Sequence, residues 1–330
     1  MEEGQSFNTS LSHSFITQRK LNAGELFFWE SHRGGWGDVT RLIREHLHTP
    51  EGVLCISAVE DELWRRRARG DGAYKTPWVG FMHQMPHQHL EFWDLERIVK
   101  HDLWKESMEH CLGLWTLTDY QKNFLEQLDV PVPIAKVYYP IETPERKFSF
   151  ERFLAKPVKE VIFIGEFLRN FQFFYDLEAP GYRKVLLKYD NFDLDRKNGK
   201  VKVTMNDSVE IRATVDAEAY DVLLEENVVL LNLLDAGAVT TLIECIVRGT
   251  PILINRVGGV TEYLGSDYPL YCDTLEEATH KLRNTELIRH GAEYLKHHPL
   301  KEKLTGAYFL RSLQETEVYR KLPLPTAQRS

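Results

Sequence analysis

Between Asp235 and Glu244 the chain carries the residue types that hold a diphosphate and a ribose. Asp235, Gly237 and Ala238 make a small-residue turn, and Thr240 or Thr241 can cap a helix running through Glu244 to Val247. Such a loop ends in free backbone N–H groups at the positive end of a helix dipole, which binds diphosphate without many lysines. Glu244 lies one turn in. Helical side chains lean toward the N-terminus, so its carboxylate points back at the loop, where it can accept hydrogen bonds from a ribose diol. The bland alternative for Glu244 is a solvated helix carboxylate, because acids are seldom buried. For the two threonines it is plain capping, which is compatible with a ligand role.

The elements needed to position these groups are legible around them. Residues 228–234 form an apolar run broken only by Asn232, the pattern of a parallel strand buried on both faces. Gly249 ends the helix, residues 251–255 make the next strand, and Gly258-Gly259 permits a close backbone approach. Upstream, a β-α series starts at residues 161–165. It continues through a strand at 185–187, a polar hairpin-like excursion at 193–200, a strand at 209–213 and a helix at 217–225.

An earlier series opens with a strand at 26–29, a turn at Gly34, Gly35, Trp36 and Gly37, and an amphipathic helix from Asp38 to about Leu47. Strands follow at 53–57, 78–82, 111–118 and 134–139, with helices at 60–69 and 120–128. Alternation at this rhythm implies parallel doubly wound sheets. Pro131, Pro133, Pro140 and Pro144 mark a change of unit, so the expected division is a domain at 1–150, a second at 151–305, and a C-terminal segment at 306–330 with a helix at 307–322.

Composition narrows the function classes. A chain of 330 residues, 43% hydrophobic and 27% charged, is globular and long enough for two cores. A net charge of −8 argues against general nucleic-acid binding, the exception being the run Arg65, Arg66, Arg67 and Arg69, which also reads as a solvated helix face. No apolar run is long enough to span a bilayer and the first residues lack signal-peptide character, so the expected location is cytoplasmic. Cys55, Cys111, Cys245 and Cys272 lack metal-ligand spacing and read as buried free thiols. His83, His87 and His89 invite a metal reading, but Pro86 interrupts any helix there and no metal is expected. G-G-W-G-D lacks the order of a dinucleotide fingerprint, which argues against a nicotinamide oxidoreductase. Glu60 and Asp61 follow a strand end, where either could supply the acceptor-side base of an inverting transferase, Asp61 foremost. Trp36, in the glycine turn, is read either as core or as a platform for a sugar or base.

Glu244, Gly249-Thr250-Pro251, the strand after it and Gly258-Gly259-x-x-Glu262 together resemble the C-terminal domain of GT-B glycosyltransferases, in particular family 4. In the first half, H-R-G-G-W-G-D-V is similar to the glycine-rich loop of glycogen-synthase-like members, and W-V-G-F-M-H to a strand ending in a histidine that faces the donor sugar. The resemblance implies an α/β GT-B fold, two Rossmann-like doubly wound parallel-sheet domains facing a central cleft, with the C-terminal helix crossing back to the first. It implies a glycosyltransferase, a hexosyltransferase by type, retaining and metal-independent, that moves a sugar from a nucleoside diphosphate sugar, UDP-sugar foremost, to a saccharide or other hydroxyl acceptor, with no separate cofactor. Glu244 would hold the ribose, Thr240 and Thr241 the diphosphate, His83 and Asp235 the sugar, and the Gly34, Gly35, Trp36, Gly37 loop would close over the reaction centre. The family sets an arginine after the first glycine of this domain and a lysine beyond it. Here Glu166 follows Gly165, so Arg169 is the expected diphosphate cation, with Lys188 and Lys184 in reserve. The family also has a glutamate eight positions before Glu244, where this chain has Ala236, and Asp235 is the neighbouring carboxylate. That departure, with Glu166, keeps open a non-catalytic sugar-nucleotide-binding subunit, and the Arg65 to Arg69 run keeps open a transferase acting on a nucleic-acid base.

Overall fold

The computed structural model describes residues 18–24, 26, 35–86, 95–142, 144–188 and 202–325. They fall into two compact units, one within 1–84, 95–142 and 302–330, the other within 85–94 and 143–301. Each is built on its own five-stranded parallel sheet.

The first unit runs β1 (Leu21–Asn22), α1 (Trp36–Leu47), β2 (Val53–Ile56), α2 (Val59–Arg69), β3 (Trp78–Met82), α3 (Leu95–Ile98), α4 (Asp102–Met108), β4 (Cys111–Thr116), α5 (Asp119–Gln127) and β5 (Ile134–Lys136), with the strands paired in sequence order. Alternation along β3 and β4 divides the core. Trp78, Met82 and Leu114 pack with Leu63, Trp104 and Leu125 of the helices, while Phe81 and Trp115 stack on the opposite face with centroids 4.9 Å apart. Phe309 from the C-terminal segment joins that second face at 6.3 Å from Phe81. Both faces are covered, which is why these strands read as unbroken apolar runs.

The second unit runs α6 (Phe150–Ala155), β6 (Lys159–Ile164), α7 (Phe171–Asp176), β7 (Tyr182–Lys188), β8 (Val209–Ala213), α8 (Ala217–Glu226), β9 (Val228–Leu231), α9 (Thr240–Arg248), β10 (Ile252–Ile254), α10 (Val260–Leu264), α11 (Leu275–Arg283) and α12 (Thr285–Lys296), with strand order β10-β9-β6-β7-β8. Every residue of β9 and β10 is fully buried, each large side chain worth about 1.5–3 kcal/mol of apolar burial. A 3-10 turn at Pro299–Leu304 leads to α13 (Gly306–Glu315) and α14 (Glu317–Lys321), which pack in the first unit.

Several expectations change. The helix expected at 307–322 is two helices, broken at Thr316, whose hydroxyl caps α14 at Tyr319 N and also accepts the Trp115 indole N–H at 3.1 Å. The strand expected at 228–234 ends at Leu231. The strand at 26–29 apart from Leu26, the excursion at 193–200, Gly34, His87 and His89 lie outside the described residues. All four cysteines are buried free thiols. Among the described residues no helix is long and apolar enough to cross a membrane. The arginine run is engaged within its unit: Arg66 donates to Gly72 O and covers the Tyr74 ring, and Arg69 pairs with Asp71 at 2.7 Å and Glu62 at 3.2 Å.

Candidate nucleotide site

In the second sheet the chain steps outward from β6 through β7 to β8, then returns past β6 to lay down β9 and β10. Open α/β sheets bind ligands outside the carboxyl ends of the strands where the order reverses in this way. Here that point lies between β6 and β9, and the loops leaving them carry Arg169 on one side and Asp235 to Thr241 on the other.

The two loops are fastened to each other. Asn170 donates from its backbone to Asn232 O at 2.8 Å and from its side chain to Asn232 Oδ1 at 2.9 Å. Leu234 N donates to Leu168 O at 3.0 Å. Asn255, just past β10, takes Leu233 at both ends, its Nδ2 donating to the carbonyl at 2.9 Å and its Oδ1 accepting the N–H at 2.8 Å. That side chain substitutes for the strand ladder and explains why β9 stops early. Gly258, at φ 51°, brings the next turn so close that an added Cβ would sit 2.1 Å from Ala236 O. The same carbonyl accepts Gly259 N at 2.8 Å.

The helix after this loop begins uncapped. Val239, not a threonine, is its N-cap residue and makes no side-chain cap hydrogen bond. Thr240 and Thr241 are instead the first two helical residues, which corrects the capping role expected of them. A valine in that position leaves first-turn N–H groups to an outside acceptor.

Arg169 is 7% exposed and bonded only to neutral carbonyls, Nε to Ile164 O at 3.2 Å and Nη1 to Phe167 O at 2.9 Å. It pairs with no carboxylate among the described residues. Burial lowers it to about 10, so it remains a cation at neutral pH. Gly165, at φ 89°, leaves room beside the guanidinium, whose Nη2 would lie 3.0 Å from an added Cβ. A buried cation that lacks an internal counter-ion is matched to an external anion. Lys184 is not available for that purpose, a correction to its reserve role: its ammonium donates to the carbonyls of Phe174, Tyr175 and Leu177 at 3.0, 2.8 and 2.9 Å, closing the end of α7. Lys188 ends β7, beside the position where β6 gives way to Gly165.

Glu244 is 1% exposed, not solvated. Its Oε2 accepts the Tyr220 hydroxyl at 2.5 Å, while Oε1 has no hydrogen-bond partner among the described residues. Burial pushes the carboxyl up to about 7, against the pull of Arg248 and of the Tyr220 hydrogen bond. Beside it, buried Arg248 and Asp221 pair at 2.6 Å. Asp235 is buried with Oδ1 accepting the Ala236 N–H at 2.7 Å.

In the first unit the glycine turn is not a free loop. Gly35 is the N-cap residue of α1, and Trp36 and Gly37 are helical. Trp36 is 3% exposed, its ring edge-on to His83 at 4.3 Å, Phe81 at 5.2 Å and Tyr139 at 5.4 Å, which makes it core and removes it as a stacking platform. His83 Nε2 lies 2.9 Å from Ser57 O. A carbonyl only accepts, so Nε2 carries the proton. Burial lowers the ring to about 4 and keeps it neutral. Glu60 accepts His83 N and Gln84 N, both at 2.7 Å, so it fixes the turn after β3 and is corrected from candidate base to loop anchor. Asp61 is buried, and desolvation raises it to about 6, opposed by Arg65.

Glu60 carries a pH prediction. Burial pushes it from 4.5 up to about 7 against its two backbone N–H partners. The folded chain therefore binds more protons than the unfolded chain between those values, and Glu60 costs stability as pH rises through 7. Glu60→Gln mimics the protonated acid, so relative to wild type it should gain on the order of 2 kcal/mol between about pH 5 and pH 8 in urea melts. An unchanged pH slope would show that Glu60 titrates normally.

Sequence reasoning missed Tyr220, Asn255 and the Asn170–Asn232 pair. Their partners lie 24, 22 and 62 residues away, and no local signal marks them.

No protein-family model matches the chain, and no curated protein matches it. Among solved structures it is similar to the sucrose-phosphate synthase of Thermosynechococcus elongatus, with a TM-score of 0.60 and 12% identity over 87% of this chain and 76% of that one. It is similar to HepE of Anabaena, solved with UDP and glucose, at 0.59 and 10% over 85% and 80%. A UDP-forming α,α-trehalose-phosphate synthase of Burkholderia vietnamiensis follows at 0.52 and 12% over 86% and 76%. At these identities the likeness shows the fold, which is GT-B: two Rossmann-like α/β domains, each on a parallel sheet.

Proposed function

We propose that the chain is a glycosyltransferase that takes a nucleoside diphosphate sugar, a UDP-hexose foremost, at the switch point of its second sheet and passes the sugar to a hydroxyl acceptor. The observation that carries this reading is the buried Arg169, without a carboxylate partner among the described residues, on the loop fastened to the one that leads into the uncapped helix α9. HepE, solved with UDP and glucose, and the UDP-forming trehalose-phosphate synthase share the fold and support UDP.

Breaking the bond between the anomeric carbon and the β-phosphate oxygen leaves charge on the diphosphate as the sugar gains oxocarbenium character. Arg169 and the N–H groups around Thr240 and Thr241 would meet that charge, with Lys188 at the edge, in place of a metal ion. Glu244 would hold the ribose, Asp235 and His83 the sugar. His83, neutral with its proton on Nε2, would act as a hydrogen-bonding group and not as a cation. Retention is the stereochemical outcome that the family resemblance implies, and Asp61 is the base that an inverting reaction would use.

A second reading, a sugar-nucleotide-binding subunit without transfer, is favoured by one observation. Ala236 stands in the loop with only its backbone engaged, and Asp235 turns an oxygen onto the Ala236 N–H.

UDP, ADP and GDP tested by thermal shift, followed by UDP release from UDP-hexoses, decide the matter. UDP should raise the melting temperature, Glu244→Ala should lose most of that rise, and UDP-hexose should be hydrolysed slowly. If no nucleotide raises the melting temperature, both readings fail. Binding without release leaves the subunit.

A further inference from the structure

The carboxylate assigned above to the ribose already accepts a hydrogen bond from within the second unit. Tyr220, in the first turn of α8, donates its hydroxyl to Glu244 Oε2 at 2.5 Å, and the two residues are 7% and 1% exposed. Among the described residues no cation binds Glu244 directly: Arg248, one turn further along α9, pairs with Asp221 at 2.6 Å, and Arg169 gives its hydrogen bonds to carbonyls. Glu244 Oε1, buried and without a hydrogen-bond partner among the described residues, can accept one more hydroxyl.

We infer that Tyr220 is a specificity-determining residue whose hydroxyl stands where a ribose hydroxyl will sit, and that a nucleotide is admitted when its ribose diol replaces Tyr220 as the donor to Glu244. The inference rests on the nucleotide reading of this site and adds what the site selects for. Exchange of one hydroxyl donor for another leaves the carboxylate satisfied throughout, whereas a ligand without ribose hydroxyls offers no replacement and would leave a buried acid unpaired. Oε1 supplies the second acceptor that a diol needs. Tyr220 belongs to the first turn of its helix, capped by Asp216, which accepts Ala219 N at 2.8 Å. A side chain there can swing aside while the body of the helix stays in place.

Calorimetric titration of wild type and Tyr220→Phe with UDP, 2′,3′-dideoxy-UDP and pyrophosphate tests this. Tyr220→Phe should bind UDP about tenfold more tightly than wild type, since no internal hydrogen bond to a charged group has to be displaced. Affinity for pyrophosphate, which has no ribose to displace Tyr220, should not change, and wild type should bind dideoxy-UDP more weakly than UDP because nothing replaces the Tyr220 donor. Equal or weaker UDP binding by Tyr220→Phe, with wild type still binding UDP, overturns the inference and leaves the nucleotide reading intact. If wild type binds no nucleotide, that reading fails and this one with it. A second measurement needs no variant: nitration of Tyr220, followed by peptide mass, should quicken when UDP is added, and protection by UDP would overturn the inference.

Discussion

Arg169→Ala is expected to weaken UDP binding about a hundredfold, the worth of two hydrogen bonds from a charged donor in a water-poor site. The reason is the mismatch between where the guanidinium sits and what surrounds it. It is 7% exposed and its partners are the carbonyls of Ile164 and Phe167. Desolvation of a cation is costly, and neutral carbonyls return only part of that cost. A diphosphate would return the rest, so most of the gain from this charge is realised in the complex. Pyrophosphate, which lacks base and ribose, should lose as much affinity as UDP. Arg169→Lys should fall between the two, keeping charge but not the planar fork. Because the substitution also frees two carbonyls, the melting temperature of each variant must be measured beside its affinity. An Arg169→Ala chain that folds and binds UDP within about threefold of wild type would remove Arg169 from the site.

How much of this was legible in the sequence depended on the range of the interaction that fixes each feature. Strands β3 and β8 begin and end where the apolar pattern places them, at Trp78–Met82 and Val209–Ala213, because pleat alternation and flanking turn residues act locally. The strand expected through residue 118 stops at Thr116, since Thr118 is needed as the N-cap of α5 and accepts Gln121 N at 3.1 Å. β9 stops short because a side chain twenty-two residues later, Asn255, takes over its ladder. Lys184 reads as a spare cation until the end of α7 folds against it. Glu244 was found from the motif around it, while its burial under Tyr220 follows from the packing of α8 on α9, which no window of sequence contains. The positions of charged groups were thus readable, and their partners, which decide whether a charge is free to act, were not.

Gly258→Ala should cost the second unit roughly 3–5 kcal/mol and lower its melting temperature by about 10 °C. Two penalties add. At φ 51° a Cβ strains the backbone, by about 1–2 kcal/mol on its own. The larger penalty is contact: the Cβ would lie 2.1 Å from Ala236 O and 3.0 Å from Ala236 N and C, all backbone atoms that no rotamer change can move. Gly181 separates the two terms. It has φ 84° with nothing within 4 Å of its would-be Cβ, so Gly181→Ala should show the backbone strain alone. Relief of the contact requires the 235–238 loop to withdraw, breaking the Gly259 N to Ala236 O bond and shifting the approach to Thr240. Gly258→Ala should therefore also lose nucleotide affinity, while Gly181→Ala keeps it. Equal destabilisation of the two variants would show that the loop is not held against Gly258, and the donor site would then lack the rigid floor that fixes a diphosphate over α9.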